Sequence, residues 1–115
     1  MTGWTDAELI HDAQLVFKVM SGRWTLPVLA ALEGGPRRHG DLRRAIDPIH
    51  PKVFNQTLRR MTDQRLLTRE VRAGPPPAVF YALAQPARLL IRELDPLLDW
   101  VGKNPSLLQH WRENS

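Results

Sequence analysis

Apolar residues recur along most of this chain at helical spacing and give way only once to a strand-like stretch. Leu9, Ile10, Ala13, Phe17 and Met20 share one face, which predicts an amphipathic helix from Asp6 to about Met20. Ser21-Gly22 interrupts it, and Trp24, Leu26, Val28, Leu29 and Leu32 then mark a strongly apolar helix that Gly34-Gly35-Pro36 ends. Pro27 fits that helix only in its first turn, where backbone N–H groups have no helical partner, so the helix is placed from about Arg23 or Trp24. A short helix follows from about His39 to Ile46, with Leu42, Ala45 and Ile46 inward. Asp47-Pro48-Ile49 reads as a tight connection, because Pro48 and Pro51 each push the preceding residue out of the helical region. Positions 50–67 then read as one helix whose Phe54, Leu58 and Met61 form the inward stripe.

Past Arg65 the pattern changes. Leu67–Arg72 and Val79–Leu83 are two β-prone runs joined by the Gly/Pro turn AGPPPA, which predicts a hairpin with a stiff tip. The apolar positions 89, 90, 94, 97, 98 and 101 predict a long helix from Gln85 to about Lys103, kinked or split by Pro96. A last turn is placed at Pro105–Trp111. With 115 residues the chain is expected to be one domain, mainly α with a small β-hairpin.

Charge sharpens the picture. Between Pro36 and Arg72 ten cations stand against four anions, while the rest of the chain is net −2, so the central segment is the part suited to a polyanion. A short helix, a tight turn and a second amphipathic helix followed by a hairpin is the plan of a winged helix-turn-helix. At 100° per residue, Lys52, Gln56, Arg59 and Asp63 form one line opposite Phe54, Leu58 and Met61. A helix docked by the second set presents the first outward. Gln pairs with adenine, and Arg or Lys with guanine, in the major groove, so Lys52, Gln56 and Arg59 are the candidate base-reading residues. Asn55 and Arg60 lie on the shoulders of that line, where phosphates run. Arg37, Arg38, Arg43 and Arg44 flank the preceding helix as candidate phosphate anchors, His50 stands at the start of the reading helix, and Arg72 stands in the wing.

From Gly22 to Trp100 the chain resembles the HxlR-type winged helix-turn-helix transcriptional regulators of bacteria. The matching pieces are GRWTLPVLAAL (22–32), GPRRHGDLRRAI (35–46), PKVFNQTLRRM (51–61), the paired leucines 66–67 followed by Thr-Arg, PPAVFYAL (76–83) and LLDW (97–100). The resemblance implies a homodimeric regulator of double-stranded DNA, with the recognition helix in the major groove and the wing near the minor groove. It implies a division into dimerisation helices at 1–20 and 85–115, a helix-turn-helix at 38–65 and a wing at 67–83. Repression is the expected mode, because occluding a promoter asks least of so small a protein.

Departures from the family pattern carry expectations of their own. Some members sense oxidants through a cysteine in the first helix; His11 stands near that place and the chain has no cysteine, which excludes a thiol switch. The aromatic usually found before Gly40 is His39. The usual serine cap of the recognition helix is His50, a weaker cap by residue type. The glycine that usually closes that helix is Arg65, which predicts a left-handed penalty there. The basic residue often found in the wing stands as Ala78, which shifts the expected wing contact to Arg72.

Other chemistry finds little footing. Ser21, Ser106 and Ser115 lack a nucleophile motif, the carboxylates are scattered, and Gly34-Gly35-Pro36 is a helix stop without a phosphate-loop lysine, so no catalytic residues and no cofactor are assigned. The histidines 11, 39, 50 and 110 have no partners at metal-ligand spacing. No apolar run approaches the roughly 20 residues needed to span a bilayer, and MTGWTDAEL has no signal-peptide character, so a cytoplasmic location without membrane contact is expected. Two alternatives stay open: a protein–protein module on the same scaffold, and a regulator responsive to a small apolar ligand held near Phe17, Trp24 and Trp100.

Overall fold

Asp6 begins the first helix. Its carboxylate accepts from the Leu9 N–H at 3.1 Å, and α1 runs Ala7–Met20 behind that cap. The computed structural model describes residues 3–115, so the first two positions of the expected 1–20 dimerisation segment lie outside the described residues. After a turn at Ser21–Trp24, α2 runs Thr25–Leu32, with Pro27 in its first turn as its missing N–H requires. Gly35 takes φ 130° beyond the end of α2 and its N–H returns to the Leu32 carbonyl at 3.1 Å.

α3 (His39–Ala45) and α4 (Pro51–Asp63) follow. α4 stops four residues short of the Leu67 expected from its apolar pattern. The Leu66 N–H bonds the Met61 carbonyl and the Arg65 N–H bonds that of Thr62, a Schellman closure with Arg65 at φ 62°. Glycine normally takes that left-handed position without penalty, and an L side chain there costs about 1–2 kcal/mol. The expected strain at Arg65 is therefore present.

The hairpin is part of a larger sheet. β2 (Leu67–Arg72) and β3 (Ala78–Leu83) pair antiparallel, and a two-residue strand β1 (Arg37–Arg38) adds to the other edge of β3 in the order β1-β3-β2. Its register sets Arg37 opposite Tyr81 and Arg38 opposite Phe80. The expected two-stranded wing is thus a three-stranded sheet, and β1 ties the start of the helix-turn-helix to the wing. α5 (Gln85–Lys103) continues unsplit through Pro96. α6 (Pro105–Glu113) is longer than the single turn expected.

The core forms where α2, α3, α4 and β3 meet. Val28, Leu32, Leu42, Phe54, Leu58 and Met61 are all shut off from solvent, and Tyr81, Leu83 and Ala87 close the cluster from the sheet and the start of α5. α1 and α6 bury no residue fully, and α5 buries only Ala87. Phe17 stays 70% exposed and Leu98 63%. The chain is accordingly extended: its radius of gyration is 16.6 Å, where a compact fold of this length would give about 13 Å.

Candidate nucleic-acid interface

α4 is positioned by its inner face. Phe54, Thr57, Leu58 and Met61 are buried, which fixes the rotation of the helix and turns Lys52, Gln56 and Arg59 to solvent. Among the described residues the side chains of these three engage no hydrogen-bond or ionic partner. Donors held outward without an internal carboxylate lose little when they meet an external acceptor. The N-terminus of α4 is capped after all: His50 Nδ1 accepts from the Lys52 N–H at 3.1 Å, with Pro51 at the first helical position. An imidazole lone pair thus does the work expected of a serine oxygen, and His50 keeps its other ring nitrogen for an outside partner.

The wing closes one side of the α4 face. Lys52, Gln56, Arg59 and Asp63 share a hollow of about 770 Å³ with Arg69 of β2. Arg69 was not among the residues expected from sequence. Its signal was the two-residue alternation of β2: Leu67 is buried against the core, so Arg69 lies on that same sheet face, opposite the buried Tyr81. Arg72, three positions on, falls on the other sheet face. There its guanidinium lies 3.7 Å from the Phe80 ring centroid and its Nε is 3.3 Å from Glu70 Oε1. The structure therefore separates the wing cations, with Arg69 beside the recognition helix and Arg72 on the outer face.

The remaining expected contacts divide into exposed and internally engaged groups. Arg38 and Arg43 are exposed. Arg37 donates from Nε to the Ala31 carbonyl at 2.7 Å, satisfying an acceptor in the last turn of α2. Arg44 pairs with Asp41 within α3. Arg60, expected on the phosphate-facing shoulder, turns inward: its Nη2 donates to Thr25 Oγ1 at 3.1 Å. The reason is helical phase, since Arg60 follows the buried Thr57 by three positions and borders the buried stripe. Gly22 leaves room for that guanidinium, and a Cβ there would stand 2.7 Å from the same nitrogen. Asn55 is engaged too, its Oδ1 accepting from His39 Nε2 at 2.8 Å.

The expected ligand-lining trio is not brought together. Phe17 borders an apolar groove of about 770 Å³ with Met20, Leu26, Leu29, Ile91 and Leu94. Trp24 instead packs against the core beside the Arg23 guanidinium, 5.1 Å from its ring centroid. Trp100 stacks on Trp111, ring centroids 6.1 Å apart, because α6 folds back along the end of α5. No single helix among the described residues is long and apolar enough to cross a membrane.

A recognition helix seated on a helix-turn-helix core, with an antiparallel sheet beside it, defines the class of winged-helix DNA-binding regulators. The model described as HxlR-like helix-turn-helix matches residues 19–108, and the chain belongs to that family. It is 30% identical over 95 residues to an HTH-type transcriptional regulator of Methanothermobacter thermautotrophicus, spanning 83% of this chain and 72% of the relative. It is 34% identical over 85 residues to the HTH-type transcriptional regulator YkvN of Bacillus subtilis, spanning 74% and 72%. Among solved structures, a transcriptional regulator described as of the MarR family from Enterococcus faecalis V583 superposes with TM-score 0.78 at 29% identity, over 95% of this chain and 96% of that one. The reduced form of the redox regulator HypR gives TM-score 0.78 at 23% identity over 86% and 98%, a likeness of fold. The protein is a DNA-binding transcriptional regulator of the helix-turn-helix type.

Proposed function

We propose that the protein is a homodimeric repressor that reads a near-palindromic operator through Lys52, Gln56 and Arg59. The observation that carries this reading is the outward row of unpartnered donors on α4, with Arg69 of the wing facing them across one hollow. Arg38, Arg43 and the Nε2 of His50 supply phosphate contacts, while Arg37, Arg44 and Arg72 add positive potential from positions already braced inside the chain. The dimer forms through 3–20 and 85–115. Phe17, Leu97, Leu98 and Trp111 expose apolar surface there that this chain does not cover. Two recognition helices then enter successive major grooves about 34 Å apart. The protein works beside the chromosome in the cytoplasm.

The test is titration of a selected duplex and of its scramble at two salt concentrations. Binding at least about a hundredfold tighter to the selected duplex, with a salt slope set by several phosphate contacts, supports the reading. Equal and steeply salt-dependent binding to both would reduce the row on α4 to a basic surface.

A second reading attaches to the apolar groove beside Phe17: a small apolar effector could sit there and change the angle between α1 and α5. A compound that raises the melting temperature of wild-type protein and leaves Leu29→Trp unmoved would support it.

A further inference from the structure

His39 and Asn55 do something that neither the helix pattern nor the general plan of the domain requires. His39 opens α3 and Asn55 lies on α4 beside Gln56, so a side-chain hydrogen bond links the two helices across the turn. The Asn55 oxygen carries no proton, and the bond therefore forms with the proton on His39 Nε2. The imidazole itself has little freedom. Its ring packs against Phe54 in a T-shaped arrangement, 4.9 Å between centroids, and lies 6.2 Å from Tyr81, and both of those rings belong to the core. A fixed ring thus holds the amide oxygen back toward α3, and the Asn55 NH2 group is the end left for an outside partner.

Asn55 also borders the hollow that holds Lys52, Gln56, Arg59 and Arg69. Lys52, Arg59 and Arg69 can only donate hydrogen bonds. With its oxygen committed, Asn55 joins them as a fourth donor.

We propose that Asn55, oriented by His39, is a further base-reading residue that donates to an acceptor edge in the major groove: guanine O6 or N7, or thymine O4. This rests on the DNA-reading role of α4 given above. His39 is the positioning residue. Because the amide is oriented before DNA arrives, its ordering cost is not charged against binding. A family member with a purely apolar ring in the place of His39 would leave that amide free to turn over. The face as a whole then favours half-sites with consecutive acceptors on one strand, as guanines provide.

The experiment is selection of bound duplexes from a random library by wild-type protein, His39→Phe, Asn55→Ala and the double variant, with base preferences measured position by position. His39→Phe keeps a ring against Phe54, and its melting temperature is recorded alongside. The expected result is a guanine or thymine preference at one position per half-site that falls about tenfold in His39→Phe and in Asn55→Ala, with no further fall in the double variant. Preferences at the other positions stay as in wild type. A wild-type profile that survives His39→Phe unchanged overturns the positioning role while leaving the operator reading intact. A uniform loss over all sequences makes Asn55 a phosphate contact and overturns base reading by it. A shift toward adenine in wild type that His39→Phe abolishes means the amide faces the other way, and overturns the donor assignment. Failure of wild type to select any sequence removes the operator reading and this inference together.

Discussion

Two regions of this chain carry nearly the same apolar patterning and end in opposite environments. In the body, made by α2, α3, α4 and the sheet, the apolar stripe of α4 disappears completely beneath its neighbours. At the periphery, α1, α5 and α6 carry stripes as apolar, yet α1 and α6 have no fully buried residue and α5 has only one. Amphipathicity states that a helix has a partner, and says nothing of whether the partner lies in the same chain. In the body the stripe is satisfied by neighbours in the same chain, which fixes the outward face of α4. At the periphery this chain leaves it uncovered, and the dimer proposed above takes that surface as its interface.

The contrast can be broken most severely inside the body. Phe54→Ala removes a wholly buried ring and should cost about 3–5 kcal/mol in urea unfolding, enough to threaten the fold of a domain this size. A loss below about 1 kcal/mol would mean that α4 is not held by that ring. Leu98→Glu, at an exposed peripheral position, should leave helix content and the body's packing intact while weakening self-association by about 2 kcal/mol, roughly thirtyfold. Sedimentation over a concentration series reads it. Unchanged association would place the dimer interface elsewhere.

Arg59→Ala acts on the reading face alone and should cost about 1–3 kcal/mol on the selected operator with a relaxed preference at one or two base pairs. Equal loss on scrambled DNA would remove its base-reading role. Arg65→Gly relieves the left-handed strain at the end of α4 and should raise stability by about 1 kcal/mol without changing operator choice. The smallest expected effect separates the wing cations. Arg72→Ala, on the outer sheet face and paired with Glu70, should weaken all duplexes alike and lower the salt slope by less than about one, whereas Arg69→Ala, in the hollow, should also change discrimination.

How far these residues declare themselves depends on whether their surroundings are local. The start of α1 at Asp6 and the outward row on α4 follow from spacing within one helix, and the structure has both. The end of α4 has no glycine to mark it in the sequence, and the stop is made by backbone bonds around Arg65. β1 has only two residues, Arg37 and Arg38, too few for any alternation, and exists because β3 offers an edge. The inward turn of Arg60 depends on Thr25, 35 residues away, and the position of Trp100 on the fold-back of α6. Such long-range contacts leave no local trace. Arg69 does leave a local trace, since counting by two from Leu67 places it on the inner sheet face.

The most direct test of the central claim is methylation interference at guanine N7 on the selected operator, combined with a hydroxyl-radical footprint. The proposed paired reading expects two clusters of interfering guanines about one helical turn apart, each in the major groove, with backbone protection flanking both. A single cluster, or backbone protection with no interference at any guanine N7, would contradict an operator read by paired α4 helices.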